Sequence, residues 1–146
     1  PFDPSDLVKA VTIKKFRDIV VCGERYKYLT NDKVSLKEIT RHCVISLNKQ
    51  TKTFEHFSGV FKKYGLDFRA DIEVSTSNQI LPIVKCNLGI GFIPESFAEK
   101  ELLNGEVYRL STEEVLPERE ITLIKRSDFS LSVAAKELEK IIKESV

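Results

Sequence analysis

Two rhythms of apolar residues run along this chain, one of period two or unbroken, the other close to 3.6. Val11 and Ile13 alternate with polar neighbours, and Arg17–Cys22 (RDIVVC) ends in an apolar run typical of strands covered on both faces. Ser35-Leu36-Lys37-Glu38 has the form of a capping box, Ser35 accepting from the first turn and Glu38 reaching back, and predicts a short helix ending near Thr40. His42–Leu47 (HCVISL) reads as a buried parallel strand. After the loop 48–53, Phe54, Phe57, Phe61 and Tyr64 share one face of a helix that Gly65 stops. Residues 67–74 place Phe68, Ala70, Ile72 and Val74 on alternate positions of a half-exposed strand. Ser75, Thr76 and Ser77 are three candidate N-caps for a helix running to about Asn87. Pro82 lies within that helix, where a proline removes a hydrogen bond and costs about 3 kcal/mol, so a kink or a late start is predicted.

Gly89-Ile90-Gly91, inside KCNLGIGFIPESF (85–97), looks like part of a phosphate-cradling loop. A dinucleotide fingerprint runs strand, glycine turn, helix; here the glycines follow a helix and precede a strand, and Pro94 stands where the third glycine belongs. The nucleotide reading fails. Gly89 instead predicts a left-handed helix end, and Gly91 a strand passing close under its neighbours. A helix carrying Phe97, Ala98 and Leu102 then closes at Asn104-Gly105, and strands at 106–110 and 119–125 flank Pro117. A last amphipathic helix, capped by Ser130 or Ser132, sets Leu131, Ala135, Leu138 and Ile142 on one stripe and turns Lys136, Glu139, Lys140 and Lys143 to solvent.

Alternating strands and helices specify an α/β fold with parallel pairing, and strands 42–47, 67–74 and 90–94 with their two intervening helices make two right-handed crossovers. The 146 residues suffice for one domain or two small lobes. With 23 Lys and Arg against 22 Asp and Glu, the net charge of +1 argues against this chain itself gripping nucleic acid. No apolar run approaches the ~20 residues of a membrane span. Cys22, Cys43 and Cys86 are scattered, as suits buried thiols in a reducing cytoplasm rather than a disulfide framework. His42 and His56 have no cysteine pair at ligand spacing, so neither metal nor cofactor is expected. The opening, PFDPSDLVKAV, reads as the start of a piece cut from a larger protein.

In open parallel sheets, ligands collect beyond the carboxyl ends of the strands. Two strand-to-helix junctions here are rich in hydroxyls and amides: Asn48, Gln50, Thr51 and Thr53 in one, Ser75, Thr76, Ser77 and Asn78 in the other. Both stand at helix N-termini, which favour an anion. The same residues also serve as ordinary N-caps, and spacing leaves both readings open. No Ser-His-Asp or Cys-His set is identifiable, and Asp67, Asp71 and Glu73 line a strand face opposite Phe68 and Ile72, toward solvent. No enzyme is expected.

The order of elements, with IEVSTSNQILPIVKCNLGIGFIPESFAEKELLNGEVYRLS and REITLIKRSDFSLSVAAKELEKII, resembles the C-terminal effector-binding domain of LysR-type transcriptional regulators over nearly the whole chain. The resemblance implies a type 2 periplasmic-binding-protein-like fold: two Rossmann-like lobes joined by two crossover strands, with a small effector in the interlobe cleft and lobe I incomplete. It implies crossings at Arg17–Cys22 and Glu120–Lys125, giving 1–19 as the remnant of lobe I and first crossover, 20–119 as lobe II, and 120–146 as the second crossover and return to lobe I. The family's effector contacts fall on Gln50, Thr51, Thr53, Ser75, Thr76, Phe92, Ile93 and Pro94. Helix 54–64 and strand 67–74 resemble the surface through which such domains pair, leaving Phe57 and Phe61 to a core or an interface. The parent protein is then a cytoplasmic homodimer or homotetramer that meets DNA only through an N-terminal domain not included in these residues. A solute-binding protein of a transporter shares the fold and is the alternative.

Overall fold

The computed structural model describes residues 8–145; the segment before Val8, on which the reading of a cut chain rests, lies outside them, as does Val146. Its strands are β1 (Val8–Phe16), β2 (Asp18–Cys22), β3 (Val44–Leu47), β4 (Ile72–Val74), β5 (Ile90–Pro94), β6 (Tyr108–Leu110) and β7 (Arg119–Arg126). The α-helices are α1 (Leu36–Ile39), α2 (Lys52–Lys63), α3 (Ile80–Lys85), α4 (Glu99–Leu103) and α5 (Val133–Glu144). They fall into two compact units, Arg17–Pro117 and, separately, Pro1–Phe16 with Glu118–Val146.

The Arg17–Pro117 unit is built on a five-stranded sheet in the order β4-β3-β5-β2-β6. β3 runs parallel to β4 and β5, while β2 is antiparallel to β5 and β6. Alternation along the strands sends Val20, Cys22, Val44, Ile90 and Phe92 to one face, where Leu36, Ile39, Phe54, Phe57, Phe61 and Phe68 cover them. Ile19, Val21, Ile45 and Ile93 point the other way, beneath Ile80, Leu81, Val84 and Ala98. The RDIVVC run is therefore covered on both faces, as an interior strand between β5 and β6.

Local chemistry explains the element ends. Ser35 accepts from the Glu38 amide at 3.1 Å and α1 stops at Thr40, while the Glu38 carboxylate meets Arg41 at 2.7 Å instead of reaching back. The amide of Leu36 donates to Glu114 Oε2 at 2.8 Å. Phe57 and Phe61 are core residues, with ring centroids 4.9 Å from Phe92 and Phe68 respectively; Tyr64, at the helix end, stays 45% exposed. Only Ile72–Val74 of the 67–74 stretch joins the ladder. Asp71 ties down the stretch before it, its amide donating to the Val44 carbonyl and its carboxylate accepting from the Val44 amide, both at 2.8 Å. α3 starts late, after a 3₁₀ turn at Ser77–Gln79, which puts Pro82 in the first turn where its missing N–H has no helical partner to lose. The left-handed residue closing α3 is Asn87 (φ 62°), not Gly89. Gly89 serves close approach: a Cβ there would lie 2.5 Å from the Cys43 carbonyl oxygen.

In the other unit β1 and β7 pair antiparallel, from Val8 opposite Arg126 to Phe16 opposite Arg119, with an irregularity between Thr12 and Lys14. Ser132 caps α5, accepting from the Ala135 amide at 3.2 Å. The half-buried positions are Leu131, Ala135, Glu139 and Ile142; Leu138, expected on that stripe, is 57% exposed. Glu139 turns inward because Lys125 of β7 meets it at 2.7 and 2.8 Å, and Lys143 joins at 2.7 Å.

Candidate functional site

Because β3, β4 and β5 are mutually parallel, their carboxyl ends lie along one edge of the sheet. Leu47 pairs with Val74, so the turns that follow, 48–51 and 75–77, leave from adjacent strands. β5 pairs with β3 at Val44–Ile90 and Ile45–Gly91 and runs on to Pro94, which pairs with Asp18 of β2. The two hydroxyl-rich turns and the end of β5 are thus neighbours on a single edge, and the topology alone brings them there.

The first turn is held by Asn48. Its Oδ1 accepts from the Gln50 amide at 3.1 Å, and its carbonyl accepts from the Thr51 amide at 3.1 Å and the Thr51 hydroxyl at 2.8 Å. The same Thr51 Oγ1 accepts from the Phe54 amide at 3.2 Å, making Thr51 the N-cap of α2. Thr53, half-buried, sits in the first turn of that helix. α2 is twelve residues long, so its amide end carries the partial positive charge of a helix dipole. In the second turn, exposed Ser75 and Thr76 donate their amides to a single acceptor, Gln79 Oε1, at 3.0 and 3.1 Å. Both turns are therefore capped from within the chain.

Phe92 and Ile93 do not join this edge through their side chains. Phe92 is 2% exposed and sits among Phe57, Phe61 and Phe68, while Ile93, fully buried, faces the opposite core. Strand alternation drives them into the two cores, and only half-buried Pro94 ends β5 at the edge. Gln79 was missed as a participant, although Thr76-Ser77-Asn78-Gln79 carries the S/T-x-x-E/Q signature that would have found it. None of the eight residues anticipated for the site is cationic, and neighbouring Lys52 is engaged by Glu55 at 2.6 Å.

Elsewhere the reactive groups have structural duties. Burial pushes the Cys22 thiol up to about 11 and raises that of Cys43, which suppresses the nucleophilic thiolate. His42 is set edge-on to Tyr26 and Tyr28, with Glu38 at 3.4 Å. Among the described residues no group of His, Cys, Asp and Glu is arranged to hold a metal, and no helix is long and apolar enough to cross a membrane. An open hollow of about 400 Å³ between Tyr28, Val34, Glu38 and Glu113 involves none of the anticipated site residues.

The LysR substrate binding domain matches residues 1–146, the full chain. The chain belongs to that family. Among solved structures it is similar to the regulatory domain of CcmR from Synechocystis PCC6803, in complex with 2-PG, at TM-score 0.81 and 14% identity over 99% of this chain and 70% of that one. It is also similar to the effector-binding domain of QuiR in complex with shikimate, at TM-score 0.78 and 17% identity over 99% of this chain and 68% of that one. The CrgA regulatory domain, from a LysR-type regulator of Neisseria meningitidis, aligns at TM-score 0.71 and 11% identity over 99% and 72%. No curated protein matches by sequence. At such identities the likeness concerns the fold, which is the periplasmic-binding-protein-like α/β fold of LysR effector-binding domains.

Proposed function

We propose that this LysR-family domain senses a small acidic molecule at the carboxyl edge of β3, β4 and β5 and relays its presence to DNA-binding domains of a dimeric or tetrameric cytoplasmic parent. Gln50, Thr51 and Thr53 supply one side of the site, Ser75 and Thr76 the next, and Pro94 the end of β5. The observation that carries the reading is the adjacency of the two capped turns on parallel neighbours β3 and β4, in a chain matched along its whole length by a ligand-binding regulatory family. The α2 dipole favours an acid there. Shikimate, held by QuiR, is such an acid, and bromide, held by the regulatory domain of HypT from Salmonella typhimurium, is an anion. DNA is left to other domains, because 23 basic against 22 acidic residues give this chain no cationic excess. The reading is of a sensor, not an enzyme. The family match favours the regulator over a transporter's solute-binding protein of the same fold.

A thermal-shift screen against small acids, shikimate included, tests the site. A ligand at 100 times its Kd adds about 2.7 kcal/mol, which raises Tm by roughly 5–10 °C in a domain of this size. The shift is expected to vanish in the Thr51→Ala, Ser75→Ala double variant. A shift of equal size in that variant removes both residues from the site.

A further inference from the structure

The Asn104-Gly105 step that closes α4 joins an asparagine side chain to the least hindered neighbour it could have. An asparagine side-chain carbonyl can be attacked by the backbone nitrogen of the next residue, closing a succinimide ring, and a side chain on that residue obstructs the approach. Asp32, Lys49, Gln79 and Leu88 follow the other asparagines, Asn31, Asn48, Asn78 and Asn87. Gly105 offers no obstruction: it is exposed, left-handed at φ 69°, and a Cβ built on it would meet nothing within 4 Å. Its amide is held only by the Leu102 carbonyl, at 3.2 Å, at the end of a five-residue helix. Two features restrain the reaction. Asn104 keeps a helical backbone (φ −80°, ψ −6°), which holds the Gly105 nitrogen off its line of approach. Its side chain is also clasped: Nδ2 donates to Glu106 Oε1 at 3.1 Å, while Glu106 Oε2 meets Lys85 at the end of α3. Lys85, and then Asn104, hold the Glu106 carboxyl below its ordinary range, so this acceptor stays ionised.

We infer that Asn104 is a spontaneous deamidation site whose rate is set by the Lys85–Glu106 clasp. Fraying of a helix end costs little, and it frees Asn104 to rotate. The Gly105 nitrogen, having lost its proton to solvent base, then bonds to Asn104 Cγ. The Cγ–Nδ2 bond breaks, Nδ2 takes up a proton and leaves as ammonia, and the succinimide remains. Water adds to either ring carbonyl. Breaking the new Cγ–N bond gives aspartate; breaking the original peptide bond gives isoaspartate, with the main chain rerouted through the side chain. No oxidant or reductant is needed. Either product sets a carboxylate where an amide donated to Glu106, which turns an attraction into a like-charge contact. The formal net charge falls from +1 to zero, because one acidic residue joins the 22 that face 23 basic ones. Isoaspartate also adds a carbon to the main chain just ahead of β6.

The test incubates the full chain at mildly alkaline pH in water enriched in heavy oxygen, followed by peptide mass mapping with fragmentation that separates isoaspartate from aspartate. The peptide spanning 104–105 is expected to exchange its amine for a labelled hydroxyl, with isoaspartate among the products, before Asn31, Asn48, Asn78 or Asn87 changes. Glu106→Ala, which removes the clasp, should deamidate about fivefold faster, the worth of one hydrogen bond. Lys85→Ala, which leaves Glu106 in place, should fall between that variant and the native chain. Asn104→Gln, whose longer side chain closes the ring poorly, should stay unmodified at that position. Asn31 and Asn78, exposed and outside the clasp, monitor general unfolding and should keep their native rates in every variant. Earlier modification at any other asparagine, or an Asn104 that stays intact in the native chain, overturns the site. Equal rates in native and Glu106→Ala proteins, or a matching acceleration at Asn31 and Asn78, overturn the role of the clasp.

Discussion

Substituting Gly91 by alanine probes how tightly β5 is held beneath α3, the contact that fixes where β5 meets the carboxyl edge. A Cβ on Gly91 would lie 2.5 Å from Ile80 Cγ2 and 3.0 Å from Val84 Cγ2. Ile80 and Val84 are 1% and 0% exposed, so neither has solvent to retreat into. Overpacking of this kind costs about 1–3 kcal/mol, against a gain of roughly 0.4–1 kcal/mol from restricting the unfolded chain. A net loss of about 1–2 kcal/mol follows, or some 2–8 °C in Tm at 2–4 °C per kcal/mol. Ile80→Ala on its own leaves a cavity and loses about 2–5 kcal/mol. It also clears the space the new methyl needs, so the double variant should be less unstable than the two single losses together, by about 1 kcal/mol or more. Urea unfolding of the four proteins, followed by circular dichroism, closes the cycle. Additive losses, or a Gly91→Ala protein as stable as the native one, would refute the claim that glycine is required here for close packing.

Two further substitutions report on single interactions. Thr51→Ala removes an N-cap that also ties Asn48, and should lower stability by about 1 kcal/mol, while Thr51→Ser, which keeps the hydroxyl, should recover most of it in the same urea measurement. Lys125 and then Lys143, both bonded to its side chain, hold the Glu139 carboxyl down to about 2, from an ordinary 4.5. A depressed acid stabilises the fold above its unfolded pKa and loses that contribution as pH falls through the folded value. The native chain should therefore exceed Glu139→Gln in Tm near neutrality, with the advantage draining away between about pH 4.5 and 2. A gap that does not change with pH would show the ion pair to be idle.

Much of the architecture was legible because burial on this scaffold is periodic. RDIVVC and HCVISL are apolar on consecutive positions since each lies in a sheet covered above and below. The phenylalanine spacing of α2 survives as a buried stripe for the same reason. Periodicity failed where a polar group took over the bonding. Asp71 secures the Val44 amide through its side chain, so the strand expected from Asp67 shrinks to three residues although its burial still alternates. Lys125 draws Glu139 to the half-buried side of α5, where a hydrophobicity pattern expects Leu138. An ion pair between residues 14 apart leaves no local trace.

The site was legible in a different measure. That turns 48–53 and 75–77 would be neighbours follows from a rule of parallel sheets, and the pairing of Leu47 with Val74 satisfies it. Phe92 and Ile93 entered the site with Pro94 through the family resemblance, which carries over positions and not the direction of their side chains. Alternation sends the Phe92 and Ile93 side chains into the two cores, while half-buried Pro94 ends the strand. The opposition of capping and ligand binding was also too sharp. Thr51 uses its hydroxyl both to donate to Asn48 and to accept from Phe54, and the Gln50 and Thr51 amides go to Asn48 as the Ser75 and Thr76 amides go to Gln79. A cap rigidifies the turn that a ligand must find ready-made, and it sets which donors are left over.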